Sequence, residues 1–174
     1  MAAPQESPAL TAADPRIYVE INEDNSSGDT STLFVLRNHG GDVAHSVTVE
    51  PLQLLSGSAS FPIVDHIAAH ENREVLPDLG NEVGIFQRDD IRQIMLREWD
   101  QAGRGSGTVE PEFSRKMRVT YTTYSKKQIE TTFDLVFLPI KFIVRKNHNE
   151  LHGDRKKPYY TLEIRNIEIT PVSQ

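Results

Sequence analysis

Hydrophobic and polar residues alternate with a period of two along most of the chain. Ile17, Val19 and Ile21 alternate with Tyr18 and Glu20, which predicts a half-buried β-strand because successive strand side chains point to opposite faces. Similar runs, separated by segments rich in Gly, Asn, Asp and Ser, occur at 32–38, 46–50, 61–68, 72–76, 119–122, 129–137, 140–144 and 160–169. The pattern predicts about eight or nine short strands, which is typical of an antiparallel β-sandwich.

Local departures from this alternation predict where strands turn, stop or bulge. The apolar run 33–36 predicts either a strand buried on both faces or a strand whose buried face the sequence does not define. The glycine pair in 39–42 predicts a turn, because glycine supplies positive φ at little cost, and the small polar residues in 56–60 predict a loop. Pro139 is predicted to interrupt a strand. The alternation slips by one residue near Asn166, which predicts a β-bulge.

One segment has the period of a helix instead. An apolar stripe with spacings of three to four residues predicts a helix over about 87–102; the stripe comprises Ile91, Ile94, Met95 and Trp99. Asp89 and Asp90 suit its N-terminus and Gly103 its C-terminus. The stripe either packs on the sandwich or is offered to a partner. An isolated helix of this length is marginal in water, which favours packing on the core.

Length and composition fit one domain with a tether. Residues 1–15 are rich in Ala and Pro and are predicted to be a flexible linker. Residues 16–170 are predicted to form a single β-sandwich domain with the helix as an insertion, because the chain of 174 residues can bury a sufficient core. Residues 1–14 lack the basic and apolar regions of a signal peptide.

Charge and cysteine content exclude several classes of function. The chain has no cysteine, which excludes thiol catalysis and thiolate metal sites. A net charge of -6 argues against general affinity for nucleic acid. No apolar run reaches the roughly 18–20 residues of a transmembrane helix.

Three segments resemble bacterial immunoglobulin-like modules of the CARDB, or cell-adhesion-related, type. Residues 38–49 read N-H-G-G-D-V-A-H-S-V-T-V and resemble the pattern N-x-G-x-x-x-A-x-x-V-x-V of those modules. Residues 67–75 resemble their L-x-P-G-E-x-x-x-V segment, except that Ala69 and His70 stand where Pro and Gly are usual. Residues 119–133 resemble their V-x-Y strand and hairpin. The resemblance covers 16–137 apart from the helix, and it implies an immunoglobulin-like fold, noncatalytic and displayed outside the cytoplasm if a leader or anchor has been removed.

Catalytic and metal-binding patterns lead to no predicted site. His66 and His70, like His148 and His152, are four residues apart, but this spacing places two ligands on one face only in a helix. These pairs are in strand or loop context, so we expect solvated histidines and no metal. The carboxylate pair Asp89 and Asp90 is explained by charge at a helix end, and Glu110 and Glu112 are expected to be solvated. The glycine-rich segment 103–107 is expected to be a linker. No catalytic, cofactor or metal residue is therefore assigned.

A basic cluster beside two tyrosines supplies the candidate partner-binding residues, which are Lys146, Arg155, Lys156, Lys157 and Tyr159. Basic residues next to aromatic ones can bind single-stranded nucleic acid or acidic head groups. The alternative is a charged hairpin that keeps strand edges from aggregating, and the acidic net charge favours it. We therefore expect no specific nucleic-acid ligand.

The sequence and the resemblance together predict a noncatalytic immunoglobulin-like interaction or structural module, which contacts a protein partner through sheet edges or loops at a cell surface or in a membrane-tethered assembly. A carbohydrate-binding β-sandwich is the alternative, and it requires a row of exposed aromatic side chains.

Overall fold

A computed structural model describes residues 9–24, 31–54, 57–78, 113–140 and 159–172. Ten β-strands lie within these residues, and no helix does. Within the same ranges there is consequently no helix with the length and hydrophobicity to span a membrane. The predicted helix over 87–102 lies outside the described residues.

The strands form two larger antiparallel sheets and a small hairpin. A three-stranded sheet has the order β1-β2-β7, and a five-stranded sheet has the order β10-β9-β8-β3-β6. β4 and β5 pair only with each other. The strands are β1 (Ile17–Asp24), β2 (Ser31–Asn38), β3 (Ala44–Val49), β4 (Leu52–Leu54), β5 (Gly57–Ala59), β6 (Val64–Ile67), β7 (Asn72–Val75), β8 (Phe113–Thr122), β9 (Gln128–Ile140) and β10 (Tyr159–Pro171).

Both sheets contribute to one hydrophobic core. Alternate residues of β1 and β2 and of β8 and β9 point into it, and the largest of them include Phe34, Leu36, Phe133 and Phe137. The prediction of a mainly β, antiparallel fold is confirmed. Val35 is also buried although it lies outside this core cluster, so β2 has buried side chains on both faces at Phe34, Val35 and Leu36, which agrees with the first of the two alternatives.

A buried polar network joins the two sheets. The backbone N–H of Ile17 in β1 donates to the Tyr121 hydroxyl of β8 at 3.1 Å, and the Thr131 hydroxyl of β9 donates to the Ile17 carbonyl at 2.8 Å. The Tyr121 hydroxyl also donates to the Pro15 carbonyl at 3.4 Å. Burial raises the pKa of Tyr121 above its usual value, so this hydroxyl stays protonated and able to donate.

Asn38 organises the turn that follows β2. Its fully buried side chain accepts hydrogen bonds from the backbone N–H groups of Arg16 (3.1 Å) and Gly40 (2.9 Å). Its amide nitrogen donates to the carbonyls of Asp42 (2.8 Å), Ile67 (3.1 Å) and Ala68 (3.2 Å). One side chain therefore holds the entry to β1, the β2–β3 turn and the end of β6 together.

The last residues of the predicted linker are packed against this turn. Asp14 accepts a hydrogen bond from the Thr11 backbone N–H at 2.7 Å and forms an ion pair with Lys127 at 3.3 Å. Leu10 packs against the core and Pro15 is buried. Residues 9–15 therefore belong to the folded unit, whereas 1–8 lie outside the described residues.

Two β-bulges interrupt the five-stranded sheet. The register between β10 and β9 shifts between Arg165 and Glu168, and Asn166 has a φ of 52°. The bulge predicted near Asn166 is confirmed. A second shift, between β3 and β8, lies between His45 and Thr48, and Ser46 has a φ of 50° there.

Three sequence predictions about strand bounds are wrong. Pro139 does not interrupt β9, where it pairs with Tyr160. The described part of β8 begins at Phe113, opposite Phe137, and so does not reach Pro139. No described carbonyl group of β8 therefore loses a hydrogen bond because Pro139 has no N–H. Residues 57–59, predicted as loop, form β5 because they pair with β4. β6 is shorter than the predicted run 61–68, because Pro62 has no N–H to donate to a ladder.

Candidate interaction surface

Within the described residues, each of the two larger sheets has a short strand at one edge. β6 is at one edge of the five-stranded sheet and β7 is at one edge of the three-stranded sheet. The two strands follow each other in the chain through a tight turn, in which the Glu71 N–H donates to the Ala68 carbonyl at 3.1 Å. One side of the fold therefore presents the edges of both sheets next to each other.

The segments that flank these two strands are called the edge ribbon here: residues 60–63, which lead into β6, and 76–78, which follow β7. Ser60 and Asp78 form a bridge with two backbone hydrogen bonds, of 2.9 Å and 2.7 Å. Phe61 anchors the ribbon to the core, since its ring packs edge-on against Phe34 with centroids 5.1 Å apart. The Ser60–Asp78 bridge thus holds the two segments of the edge ribbon together, and Phe61 packs one of them against the core.

The edge ribbon exposes large apolar side chains. Ile63 is 67% exposed and Leu76 is 56% exposed. They directly flank β6 and β7, so the backbone places them on neighbouring segments of one short ribbon. Large apolar groups held in water next to a sheet edge have a hydration cost that a partner would remove.

Charged residues follow these two side chains along the neighbouring strands and the turn between them. Asp65 in β6 and Glu74 in β7 are exposed, and Arg73 forms an ion pair with Glu71 at 2.7 Å. An apolar centre bordered by charged side chains is the usual arrangement of a protein–protein contact. Charged residues on an edge strand also prevent indiscriminate strand pairing.

Most of the predicted basic cluster lies outside the described residues. This applies to Lys146, Arg155, Lys156 and Lys157. Tyr159 is the first residue of β10, where its backbone pairs with Ile140. The partner-binding role of these residues therefore stays a prediction.

Of the two histidine pairs singled out by spacing, the structure describes only His66 and His70, which lie in different elements. His66 lies in β6 and His70 in the β6–β7 turn, while His148 and His152 lie outside the described residues. Within the described part of the chain, no three His, Asp or Glu side chains are arranged to hold a metal ion.

One described aromatic side chain is strongly exposed. Tyr124, at the tip of the β8–β9 hairpin, is 83% exposed. Its neighbours Thr123 and Ser125 hydrogen bond to each other through their hydroxyls at 2.8 Å. Tyr121 is buried and Tyr18 packs edge-on against His39, with ring centroids 4.9 Å apart. Among the side chains whose burial is described, Tyr124 is therefore the one strongly exposed Phe, Tyr or Trp ring, and these rings form no flat exposed row.

Ile63 and Leu76 were missed by reasoning from sequence. Their alternation assigns both to half-buried strands, and nothing local shows that β6 and β7 are edges of different sheets. The signal that was available is Pro62 beside Ile63 and Pro77 beside Leu76, because proline is common where a strand ends, although it does not show which sheet edge the strand forms.

Comparison with known proteins gives no relative: no protein-family model, no curated protein and no solved structure matches the chain.

Proposed function

We propose that this chain is a noncatalytic immunoglobulin-like β-sandwich module that binds a protein partner through the edge ribbon. The observation that carries the proposal is the exposure of Ile63 and Leu76 on a ribbon that the Ser60–Asp78 bridge and Phe61 hold in place. A rigid scaffold that presents apolar side chains loses little conformational entropy on binding, which favours affinity.

Two features support the immunoglobulin-like part of the proposal. The segment that resembles CARDB modules forms the β2–β3 connection, with Asn38 buried and Ala44 in the core. At the position where the CARDB pattern has glycine, His70 has a φ of 62°, a left-handed conformation that glycine adopts readily. A left-handed backbone at this position is compatible with the glycine of the pattern and supports the comparison.

The Glu71 side chain supports the same comparison. Its carboxylate accepts a hydrogen bond from the Ala68 backbone N–H at 3.0 Å and closes the turn. A glutamate at this position is part of the resemblance, and here it has a structural role. Display outside the cytoplasm, as the resemblance implies, is included in the proposal.

A protein partner is preferred to a carbohydrate because of the kind of side chain that is exposed. Sugar rings stack on flat aromatic surfaces, and among the described side chains Tyr124 alone offers such a surface. Branched aliphatic groups such as Ile63 and Leu76 fit an apolar pocket on another protein.

Site-specific photo-crosslinking tests the proposal. A photo-reactive amino acid is placed at position 63, at position 76 or at position 124 in the full chain, and each variant is irradiated in cells that produce the protein naturally. We expect the same crosslinked protein from positions 63 and 76, and a much weaker signal for it from position 124. Position 124 is the matched control because Tyr124 is even more exposed than Ile63 and Leu76 but lies outside the edge ribbon.

The outcomes separate the alternatives. A product of twice the chain's mass would identify the partner as a second copy of the chain. Crosslinks from position 124 with none from 63 or 76 would move the contact to the β8–β9 hairpin and overturn the proposed surface. Crosslinks from none of the three positions would overturn it as well.

A further inference from the structure

The register of the five-stranded sheet places two histidines directly opposite each other. His45 of β3 pairs with His66 of β6. Residues that are directly opposite in an antiparallel pair have Cβ atoms about 4.5–5.5 Å apart. Two imidazoles on such positions can reach a common ligand between them.

Both side chains lie on the outer face of the sheet. The adjacent pair, Ala44 and Ile67, is fully buried in the core, and successive side chains in a strand point to opposite faces. His66 is exposed and His45 is partly exposed. Solvent and dissolved ions therefore have access to the pair.

The two rings are not occupied by other described groups. Neither imidazole has a hydrogen bond or ion pair with a described residue, although the His45 backbone carbonyl accepts from the Thr122 hydroxyl at 3.3 Å. His45 also directly precedes the bulged Ser46, whose φ is 50°. Bulges commonly re-aim the side chains next to them.

We propose that His45 and His66 form a two-imidazole site for a divalent transition-metal ion such as Zn²⁺ or Ni²⁺. Imidazole nitrogen is a preferred ligand of these ions, with metal–nitrogen distances of about 2.0–2.1 Å for zinc. Water completes the coordination shell. Bound metal would link the edge strand β6 to β3 and would therefore stabilise the edge next to Ile63. The proposal does not depend on the proposed partner.

The test uses the full chain and the metal alone. Ni²⁺ is titrated while the histidine ring signals are followed by NMR, with the wild type compared with His45→Ala, His66→Ala and, as control, His70→Ala. His70 is the matched control because it is exposed and nearby but lies in the turn, outside the pair. Circular dichroism establishes that each variant is folded.

We expect saturable binding that shifts or broadens the signals of His45 and His66 first. Each single substitution in the pair should weaken the affinity for Ni²⁺ at least about tenfold. Loss of a residue that only orients a metal ligand already lowers metal affinity by about that factor, and each of these histidines is itself a ligand. His70→Ala should bind like the wild type. Binding should weaken on acidification, because protonated imidazole is not a ligand.

Three results would overturn the proposal. The first is the absence of saturable binding by the wild type. The second is unchanged affinity in His66→Ala. The third is loss of binding in a His148→Ala or His152→Ala variant while both members of the pair stay unperturbed, which would place the metal elsewhere.

Discussion

Replacing Gly40 with alanine should destabilise the protein strongly, because another segment of backbone occupies the space of the new methyl group. A Cβ at this position would lie 2.6 Å from Pro15 Cα and 2.8 Å from the Arg16 backbone nitrogen, and closer still to the Asp14 carbonyl oxygen. All three atoms belong to the main chain. The segment entering β1 must therefore move, since no flexible side chain can yield.

The size of the effect follows from what that movement breaks. Inserting one methyl group into a closely packed site costs about 1–3 kcal/mol. Displacing residues 14–16 also weakens the hydrogen bonds of Arg16 N–H to Asn38 and of the Tyr121 hydroxyl to Pro15, at about 1 kcal/mol each. We therefore expect a loss of about 3–5 kcal/mol, which corresponds to a fall in Tm of roughly 10 °C for a chain of this length.

Gly41→Ala is the matched control. Its Cβ would be 3.5 Å or more from the nearest atoms of Ala12 and Ala13, which is ordinary contact, and neither glycine has a left-handed φ. Alanine there should change the free energy of unfolding by less than about 1 kcal/mol, and in the stabilising direction because it restricts the unfolded chain. Urea denaturation of the wild type and both variants measures the difference. Equal stabilities for Gly40→Ala and Gly41→Ala would refute the close approach of residues 14–16 to the turn.

Further predictions concern single groups whose roles the structure defines. His70→Gly should raise the free energy of unfolding by about 0.5–1 kcal/mol, because a non-glycine residue at positive φ is strained; a loss of stability in thermal melts would contradict this. Tyr121→Phe should cost about 1–3 kcal/mol in urea denaturation by leaving the buried Ile17 N–H without a partner, and a change below about 0.5 kcal/mol would argue against the network. The Thr11 backbone N–H lowers the pKa of Asp14, with the Thr11 hydroxyl and Lys127 acting in the same direction and burial opposing them. The ionised Asp14 should therefore stabilise the fold fully above about pH 4, and this stabilisation should be lost as the pH falls further. An Asp14→Asn variant with the same acid sensitivity as the wild type would exclude this contribution. Trp99→Ala should cost about 3–5 kcal/mol if the predicted helix packs on the core, and unchanged stability together with indole fluorescence typical of water would favour the partner-binding alternative.

Alternation was enough to predict the long strands, because the buried side chains of a strand with one buried face recur at every second residue. β1, β2, β9 and β10 lie where the apolar positions indicate, and the slip near Asn166 correctly predicts a bulge. Where the alternating pattern is short, hydrogen bonding to a neighbouring strand determined whether a segment is a strand. Gly57–Ala59 has no strand pattern of its own, and β4 provides the partner that makes it a strand.

The roles of individual turn residues depend on contacts that the sequence does not contain. The glycine pair after His39 was predicted to supply positive φ, yet Gly40 is required because Asp14 and Pro15 approach it from outside the turn. Likewise, the His45–His66 pairing joins residues 21 positions apart, and only the register of β3 and β6 reveals it.

The candidate surface could not be predicted for a related reason. Ile63 and Leu76 continue apolar runs and are expected to be buried, and their exposure follows from β6 and β7 being the outer strands of two different sheets. Strand order is a property of the whole fold, so no local pattern contains it.

The most direct test of the central claim is the affinity of the crosslinked partner, once purified, for the wild type and for an Ile63→Glu/Leu76→Glu double variant. Tyr124→Ser serves as the control, and thermal melts establish that all proteins are equally folded. We predict that the double variant binds at least about a hundredfold more weakly, because two charged groups would replace apolar contacts worth about 1.5–3 kcal/mol each when buried. The Tyr124→Ser variant should bind like the wild type. Equal affinities for the wild type and the double variant would contradict the assignment of the edge ribbon as the binding surface.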